Sequence, residues 1–152
     1  FQFQGHTVAG PYLGATPDGR KRAEPLAHGM NPMHGRNTEG LLATANSFTK
    51  LDFNKYQGGS LQIELHPSAF GGYDSRGDMM QQFSDVFFAQ GGVQINLNVF
   101  DLDELRDAYE NPEKTEYDHI VVKVTGYSAH FTKMDRQFQK EFLERVNYTK
   151  LN

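Results

Sequence analysis

The sequence predicts a mixed α/β fold in which helices and strands alternate along residues 41–152, behind a leading loop region in residues 1–40. In the later region, apolar residues recur either at every second position, as in strands, or at intervals of three and four, as in helices. In the leading region, glycine and proline are frequent and neither period is sustained. A chain of 152 residues suits one hydrophobic core, so we expect a single domain over 1–152.

Composition narrows the functions that this chain could have. Its formal net charge of -4 gives no reason to expect nucleic acid or an anionic membrane as a partner, because both attract basic surfaces. No apolar run approaches the roughly 20 residues of a membrane span and no secretion signal is recognisable, so we expect a cytoplasmic protein. The absence of cysteine excludes disulfides, thiolate metal sites and thiol catalysis within these residues.

The leading region gives few indications of chemistry. We expect it to lie as an extended loop over another surface, because it cannot build a core of its own. The basic cluster at 18–22 is better interpreted as a solvated turn than as a phosphate site. The histidines of the chain show neither an i, i+4 pair on a helix nor an HExxH pattern, which favours structural roles over a metal site. They are His6, His28, His34, His66, His119 and His130.

The middle of the chain shows clear periods. Residues 41–50 fit either a short helix or a strand, whereas residues 60–65 alternate apolar and polar positions and predict a strand with one buried face. Residues 75–90 predict a helix that ends at Gly91 and Gly92. The residues at helical spacing in that segment are Met79, Phe83, Val86, Phe87 and Gln90.

Residues 93–99 predict a second strand, with its apolar face toward a core and an amide-rich face elsewhere. That second face carries Gln94, Asn96 and Asn98, which are better interpreted as satisfied strand groups than as groups presented to a site. Residues 101–104 have capping-box spacing and predict a helix that continues through Tyr109.

The last third of the chain predicts one more strand and one more helix. Residues 120–125 are nearly all β-branched, which favours a strand buried on both faces and ended by Gly126. The final helix carries an apolar stripe of Met134, Phe138, Phe142 and Val146. Its other face carries Arg136, Lys140, Glu141 and Glu144.

Signatures of familiar catalytic sites are absent from the sequence. It contains no GxSxG elbow, P-loop or GxGxxG fingerprint. Asp101, Asp103 and Glu104 are better interpreted as helix-capping and solvated groups than as an acid/base pair. Gly126 remains, and a glycine at a strand end ordinarily supplies a positive φ or a close backbone approach.

The residues around Gly126 resemble the glycyl radical motif of the family that contains pyruvate formate-lyase and the glycyl radical dehydratases and decarboxylases. The family pattern is close to R-V-x-G-Y-x-x-x-F, and its fixed positions are matched by Val124, Gly126, Tyr127 and Phe131. Thr125 and Ser128 occupy variable positions of the same motif. Lys123 stands where the family has arginine, which keeps the charge and loses the planar fork.

Other segments resemble the family in the same order along the chain. They are TPDGR at 16–20, NPMHGR at 31–36, GGVQINLNVFD at 91–101 and AYENPEK at 108–114. The resemblance therefore extends over about residues 10–146. NPMHGR is similar to the pyruvate formate-lyase branch in particular, whereas the motif around Gly126 fits decarboxylase or lyase relatives equally well.

The resemblance implies the C-terminal part of a ten-stranded α/β barrel enzyme, with a radical loop at 123–131 that follows a buried strand. It implies that Gly126 stores a backbone radical, which passes to a cysteine on a separate part of the enzyme for cleavage or formation of C–C or C–X bonds. No tightly bound cofactor and no metal are implied. The radical is installed by an activating enzyme that uses S-adenosylmethionine and an iron–sulfur cluster. The implied partners are this activating enzyme and the cysteine-bearing barrel, in the same or a separate chain.

The choice of glycine has a physical reason. An unpaired electron on an α-carbon is stabilised when that carbon flattens and shares spin with both adjacent peptide groups, and a side chain would crowd this arrangement. The radical also requires shielding from dioxygen. We expect the predicted strand and the helix of Phe138 and Phe142 to supply that shielding.

Two alternatives remain open on the sequence alone. The chain could be an autonomous spare part, similar to the small glycyl radical cofactor protein that restores an oxygen-damaged pyruvate formate-lyase. It could also be a non-catalytic interaction module that has kept the fold and lost the chemistry.

Overall fold

A three-stranded parallel sheet is the framework of the structure. The computed structural model describes residues 5–56, 58–70, 75–124, 126–145 and 147–150. The middle strand is β1 (Leu61–Leu65), and β2 (Ile95–Val99) and β5 (Asn147–Tyr148) pair with it on either side. The strands predicted at 60–65 and 93–99 are therefore confirmed.

Strand β1 is buried at every position, so the prediction of one buried face is wrong. Its apolar face, which includes Ile63, packs in a core with residues of two helices. Its polar face is covered by groups that satisfy it. The side-chain amide of Asn31 exchanges two hydrogen bonds with the backbone of Gln62, at 2.7 and 2.8 Å, and Arg145 donates to Glu64 at 2.7 Å.

Helices α2 (Leu41–Thr49) and α3 (Arg76–Ala89) contribute to the core on the apolar face of the sheet. The segment 41–50, which fitted a helix or a strand, is thus a helix, and the helix predicted at 75–90 is confirmed. Their contact is aromatic, since the rings of Phe48 and Phe87 stack with centroids 5.5 Å apart. Gly91 and Gly92 follow α3, and Gly91 has a φ of 96°, which glycine adopts at low cost.

Strand β2 places Ile95 and Leu97 against the apolar core, as expected, and its amide-rich face is buried elsewhere. Asn96 and Asn98 are buried, whereas the apolar side chain of Val99 is half exposed. Among the described strands β2 is at the edge of the parallel sheet, and the side chain of Asn98 is covered by a neighbouring hairpin. As expected, Asn98 is a satisfied strand group, whereas the side-chain nitrogen of Asn96 is buried without a hydrogen-bond partner among the described residues.

That hairpin consists of β3 (Val121–Lys123) and β4 (Ser128–His130), and it belongs to a second apolar cluster together with helix α4 (Leu102–Glu110). Asp101 caps α4, as its spacing predicts, by accepting a hydrogen bond from the N–H of Asp103 at 2.8 Å. In β3, Val122 is buried and its two neighbours are exposed, so the prediction of burial on both faces is wrong. Among the described strands only β4 pairs with β3, and one face of β3 lies on the cluster. The buried members of the cluster are Phe100, Leu105, Ala108, Ile120, Val122, Val124, Phe131 and Phe142.

Helix α5 (Arg136–Glu144) places Phe142 in this cluster, as its stripe predicts. Glu141 was expected on the solvated face, but its carboxylate is buried and paired with Arg145. Phe138 is half-buried, and Met134 precedes the helix. Val146 lies outside the described residues.

The leading region is irregular beyond α1 (Gly5–Ala9) and a 3-10 turn at Gly10–Tyr12. It contacts the last helix, because Gln137 on α5 donates to the carbonyl of Thr7 at 3.4 Å. The basic cluster at 18–22 is a largely solvated turn, as expected, except that Arg20 is 3% exposed and bonds to the carbonyls of Gly14 and Glu24. Within the described ranges, no helix is long and apolar enough to span a membrane.

Candidate radical site and the buried polar cluster

Gly126 lies in the loop that joins β3 to β4. The pairing of Lys123 with Ser128 is the last of the hairpin ladder, and the N–H of Val124 donates to the carbonyl of Tyr127 at 2.9 Å beyond it. Gly126 has a φ of 144°, in the region that L side chains rarely adopt. The loop therefore requires glycine here for backbone geometry, whatever other role this residue has.

The motif residues divide into an inward and an outward set. Val124 and Phe131 are buried in the second apolar cluster. Gly126, Tyr127 and Ser128 are exposed, with Tyr127 at 51%. Thr125 lies outside the described residues. The inward set fixes the hairpin on the domain, and the outward set presents the loop to its surroundings.

The expected shielding of Gly126 by the strand and the last helix is not found within the described chain. A Cβ added at Gly126 would meet no described heavy atom within 4 Å apart from those of its two chain neighbours. The aromatic ring of Phe142 belongs to the apolar cluster with the buried valines of the hairpin, and it does not cover the tip.

Asn98 ties the hairpin to the parallel sheet. Its side-chain amide donates to the carbonyl of Lys123 at 2.9 Å and its side-chain oxygen accepts from the N–H of the same residue at 2.6 Å. One side chain thus replaces a backbone partner for β3. The amide of Asn98 also lies 3.5 Å from a carboxylate oxygen of Glu64, so the hairpin is connected to buried charges.

Those charges form what we call the polar cluster, which consists of Glu64, Glu141, Arg145, His6, His28 and His34. Arg145 donates to Glu64 at 2.7 Å and to Glu141 at 2.8–3.1 Å, and all three side chains are at most 2% exposed. The three histidines approach Oε1 of Glu141 through one ring nitrogen each, at 3.5, 3.9 and 3.3 Å respectively.

Burial and pairing shift the pKa values of the cluster in opposite directions. Burial raises the pKa of Glu64, although Arg145 opposes this. Burial also acts to raise the pKa of Glu141, but hydrogen bonds from His34 and His6 and the charge of Arg145 outweigh it and hold the pKa well below its ordinary value. Burial, together with the charge of Arg145, lowers the pKa of His28 well below 6.5, so that its ring is neutral at neutral pH.

The polar cluster was missed in the sequence because its members are far apart along the chain. The histidines lie in the leading region, Glu64 on β1 and Glu141 on α5, so no local period connects them. The one local signal was the i, i+4 spacing of Glu141 and Arg145. His28 and His34 were expected to be structural, and both lie in the cluster.

Comparison with known proteins places the motif in its family. The family model described as glycine radical matches residues 26–132, which include the hairpin and Gly126. The PFL-like enzyme TdcE of Escherichia coli K12 is 35% identical over 148 residues, which are 93% of this chain and 19% of that protein.

Solved structures agree with this match over nearly the whole chain. Hydroxyproline dehydratase (HypD) from Clostridioides difficile has a TM-score of 0.85 at 35% identity, over 95% of this chain and 18% of its own. The B12-independent glycerol dehydratase from Clostridium butyricum has a TM-score of 0.84 at 35% identity, over 94% of this chain and 18% of its own. The chain thus spans about a fifth of the length of these relatives. It belongs to the glycyl radical enzyme family, as a glycyl radical domain.

Proposed function

We propose that this chain is the radical-bearing domain of a glycyl radical enzyme, extending over 1–152 with its radical loop at 123–131, and that Gly126 stores the radical. The observation that carries the proposal is the position of Gly126 at an exposed hairpin tip, within the segment that matches the family model. The missing side chain leaves the α-carbon free to flatten, and the buried strands behind it hold the loop in place.

The exposure of Gly126 supports a docking role for the outward set of the motif. Gly126, Tyr127 and Ser128 enter the ten-stranded barrel that carries the catalytic cysteine, and the barrel supplies the shielding that is not found among the described residues. The radical then passes to the cysteine, which abstracts hydrogen from substrate. This chain contains no cysteine, so it depends on that portion of the enzyme for the reaction.

An activating enzyme that uses S-adenosylmethionine and an iron–sulfur cluster abstracts hydrogen from the α-carbon of Gly126, in the cytoplasm and without oxygen. An exposed hairpin tip suits this step, since a second protein must reach the α-carbon. The reaction class is lyase, dehydratase, decarboxylase or acyltransferase. The relatives with printed names differ in their reactions, so we propose no single substrate.

Electron paramagnetic resonance tests the role of Gly126. The full-length protein, treated anaerobically with its activating enzyme and S-adenosylmethionine, should give a glycyl doublet, and Gly126→Ala should abolish it. Incorporation of α-deuterated glycine should collapse the doublet, because the splitting comes from the remaining α-hydrogen.

Gly58→Ala is the matched control, since Gly58 also has a positive φ, of 151°, and an added Cβ there also meets nothing within 4 Å beyond its chain neighbours. It should keep the doublet. A doublet that persists in Gly126→Ala would place the radical elsewhere. The absence of any doublet in the unaltered protein would favour a non-catalytic module.

A further inference from the structure

Three atoms of the polar cluster surround one point at bonding distance for a metal ion. His28 Nδ1 lies 3.1 Å from His34 Nε2 and 3.9 Å from Glu141 Oε1, and the last two atoms are 3.3 Å apart. A point equidistant from three atoms with these separations is about 2.0 Å from each, where Zn²⁺ binds nitrogen at about 2.0–2.1 Å and carboxylate oxygen at about 2.0–2.2 Å.

We propose that His28, His34 and Glu141 form a binding site for a divalent transition metal of the Zn²⁺ type. Two imidazoles and one carboxylate are a donor set that such ions accept. The proposal is independent of the radical chemistry, because none of these residues belongs to the motif around Gly126.

Hydrogen bonds alone do not satisfy the three atoms that face one another here, which are His28 Nδ1, His34 Nε2 and Glu141 Oε1. A neutral imidazole carries one N–H, so a proton on His34 Nε2 can be directed at His28 or at Glu141 but not at both. If His28 Nδ1 carries the proton and donates to His34, the lone pairs of His34 Nε2 and Glu141 Oε1 face each other at 3.3 Å. An ion at the common point accepts all three lone pairs at once.

The surroundings of the site fit the outer partners of a metal centre. Arg145 Nε donates to Oε1 of Glu141 at 3.0 Å, and a carboxylate oxygen has a second lone pair for an ion. His6 Nε2 lies 3.5 Å from the same oxygen. Such contacts orient a metal ligand. The two carboxylates share one guanidinium, so when both are ionised the cluster has an excess negative charge that attracts a cation.

The site also has a route for the ion. His34 is the most exposed of the three residues, with 19% of its side chain accessible, whereas Glu141 is at 2%. His34 lines a surface cavity of about 320 Å³ together with Met33, Leu26 and Glu144. An ion can therefore reach the common point from the side of His34.

Metal binding would fasten the leading region to the last helix. His28 and His34 belong to a segment with no helix or strand assigned between Tyr12 and Leu41, and Glu141 lies on α5. A metal that joins them would restrict this segment much as a crosslink does. Through Arg145, Glu64 and Asn98 the site is also connected to the radical hairpin.

Metal titration of the full-length protein tests the site. After chelation, the protein is dialysed against Zn²⁺ and bound metal is counted by mass spectrometry, while Co²⁺ binding is followed by visible absorption. We expect His34→Gln to bind one equivalent fewer per chain than the unaltered protein, with the loss of the corresponding Co²⁺ band. Loss of an outer partner weakens metal binding by about 10–100-fold, so loss of a ligand should weaken it by at least about 100-fold.

His119→Gln is the matched control, because His119 is exposed and pairs with Glu104 outside the cluster, and it should bind as many ions as the unaltered protein. Hydrogen exchange of peptides covering 28–34 should slow on addition of Zn²⁺ to the unaltered protein. If the His34→Gln variant does not fold, this measurement on the unaltered protein tests the site in its place. Equal stoichiometry in His34→Gln and the unaltered protein, or exchange at 28–34 that ignores Zn²⁺, would overturn the proposal.

Discussion

The β3–β4 hairpin that carries Gly126 and the polar cluster lie at the two ends of one chain of hydrogen bonds. They differ in how exposed they are and in how many groups contact them. Around Gly126 the backbone is exposed, and an added Cβ would touch nothing else. Around Glu141 the side chains are buried. Its carboxylate accepts a hydrogen bond from Arg145 at 2.8 Å and lies 3.3–3.5 Å from ring nitrogens of His34 and His6. Asn98, Glu64 and Arg145 connect the two.

The difference shows that the hairpin presents a loop at the surface, whereas the polar cluster holds parts of the fold together in the interior. A residue that must meet another protein or a second domain has to lie at a surface, and its own chain can shield it little. Residues that hold such a loop in place act through burial and short contacts. In this chain the buried polar residues are connected to the exposed hairpin only through intervening hydrogen bonds.

The largest effect is expected from removal of the Arg145 guanidinium, which joins the carboxylates of Glu64 and Glu141. Arg145→Met keeps much of the volume but leaves Glu64 and Glu141 buried without their counter-charge. Breaking a buried pair in this way costs about 3–5 kcal/mol. Hydrogen exchange measured by mass spectrometry should show that α5 and β1 open more readily by about this free energy.

Arg106→Met provides the matched comparison on the surface. Arg106 pairs with Asp103 at 3.1 Å, but both side chains are more than half exposed. Exposed pairs contribute about 0.2–1 kcal/mol, so exchange in α4 should change by no more than that. Equal effects of the two substitutions would show that burial does not distinguish the two pairs.

A smaller effect is expected at the connection between the cluster and the hairpin. Asn98→Ala removes both hydrogen bonds to the backbone of Lys123 and leaves that backbone without this partner. Because the backbone of Lys123 is only partly buried, loss of these bonds should cost about 0.5–1.5 kcal/mol each, and amides of peptides covering 121–130 should exchange faster. Asn96→Ala should leave the exchange of the hairpin unchanged, because the side-chain oxygen of Asn96 accepts a hydrogen bond from the side chain of Gln94 and not from the hairpin.

The smallest effect is expected at the start of α4, which packs in the same cluster as the hairpin. The hydrogen bond from the N–H of Asp103 lowers the pKa of Asp101 below 3.8, against a small effect of burial. Because the pKa of Asp101 is lower in the folded protein, its cap stabilises the fold at pH values above the pKa that Asp101 has in the unfolded chain. This contribution is lost as the pH falls below about 4. Asp101→Ala should cost about 0.5–2 kcal/mol above that pH and remove this part of the acid sensitivity.

Exchange in α4, corrected for the intrinsic effect of pH on exchange, measures the change. Asp101→Asn is the control, since asparagine caps equally well without titrating. An acid dependence of α4 that persists in Asp101→Asn would assign it to other carboxyls.

The sequence predicts most of the helices and strands and the radical motif, because these are encoded within a few residues. The apolar stripe of α5 and the alternation in β1 are such local patterns. Burial was harder to predict, since it depends on what covers each face. β1 is buried on its polar face because Asn31 and Arg145 reach it from distant parts of the chain. The histidines of the polar cluster were invisible to spacing for the same reason.

The open surroundings of Gly126 have a consequence for how long a radical there could survive. The described residues offer no wall around this α-carbon, so under the proposed function its survival would depend on the equilibrium between hairpin and barrel more than on the stability of the domain. A substitution that loosened this association by tenfold would lengthen the time spent in contact with dissolved gas in the same proportion. Inactivation by air would then report the strength of an interface.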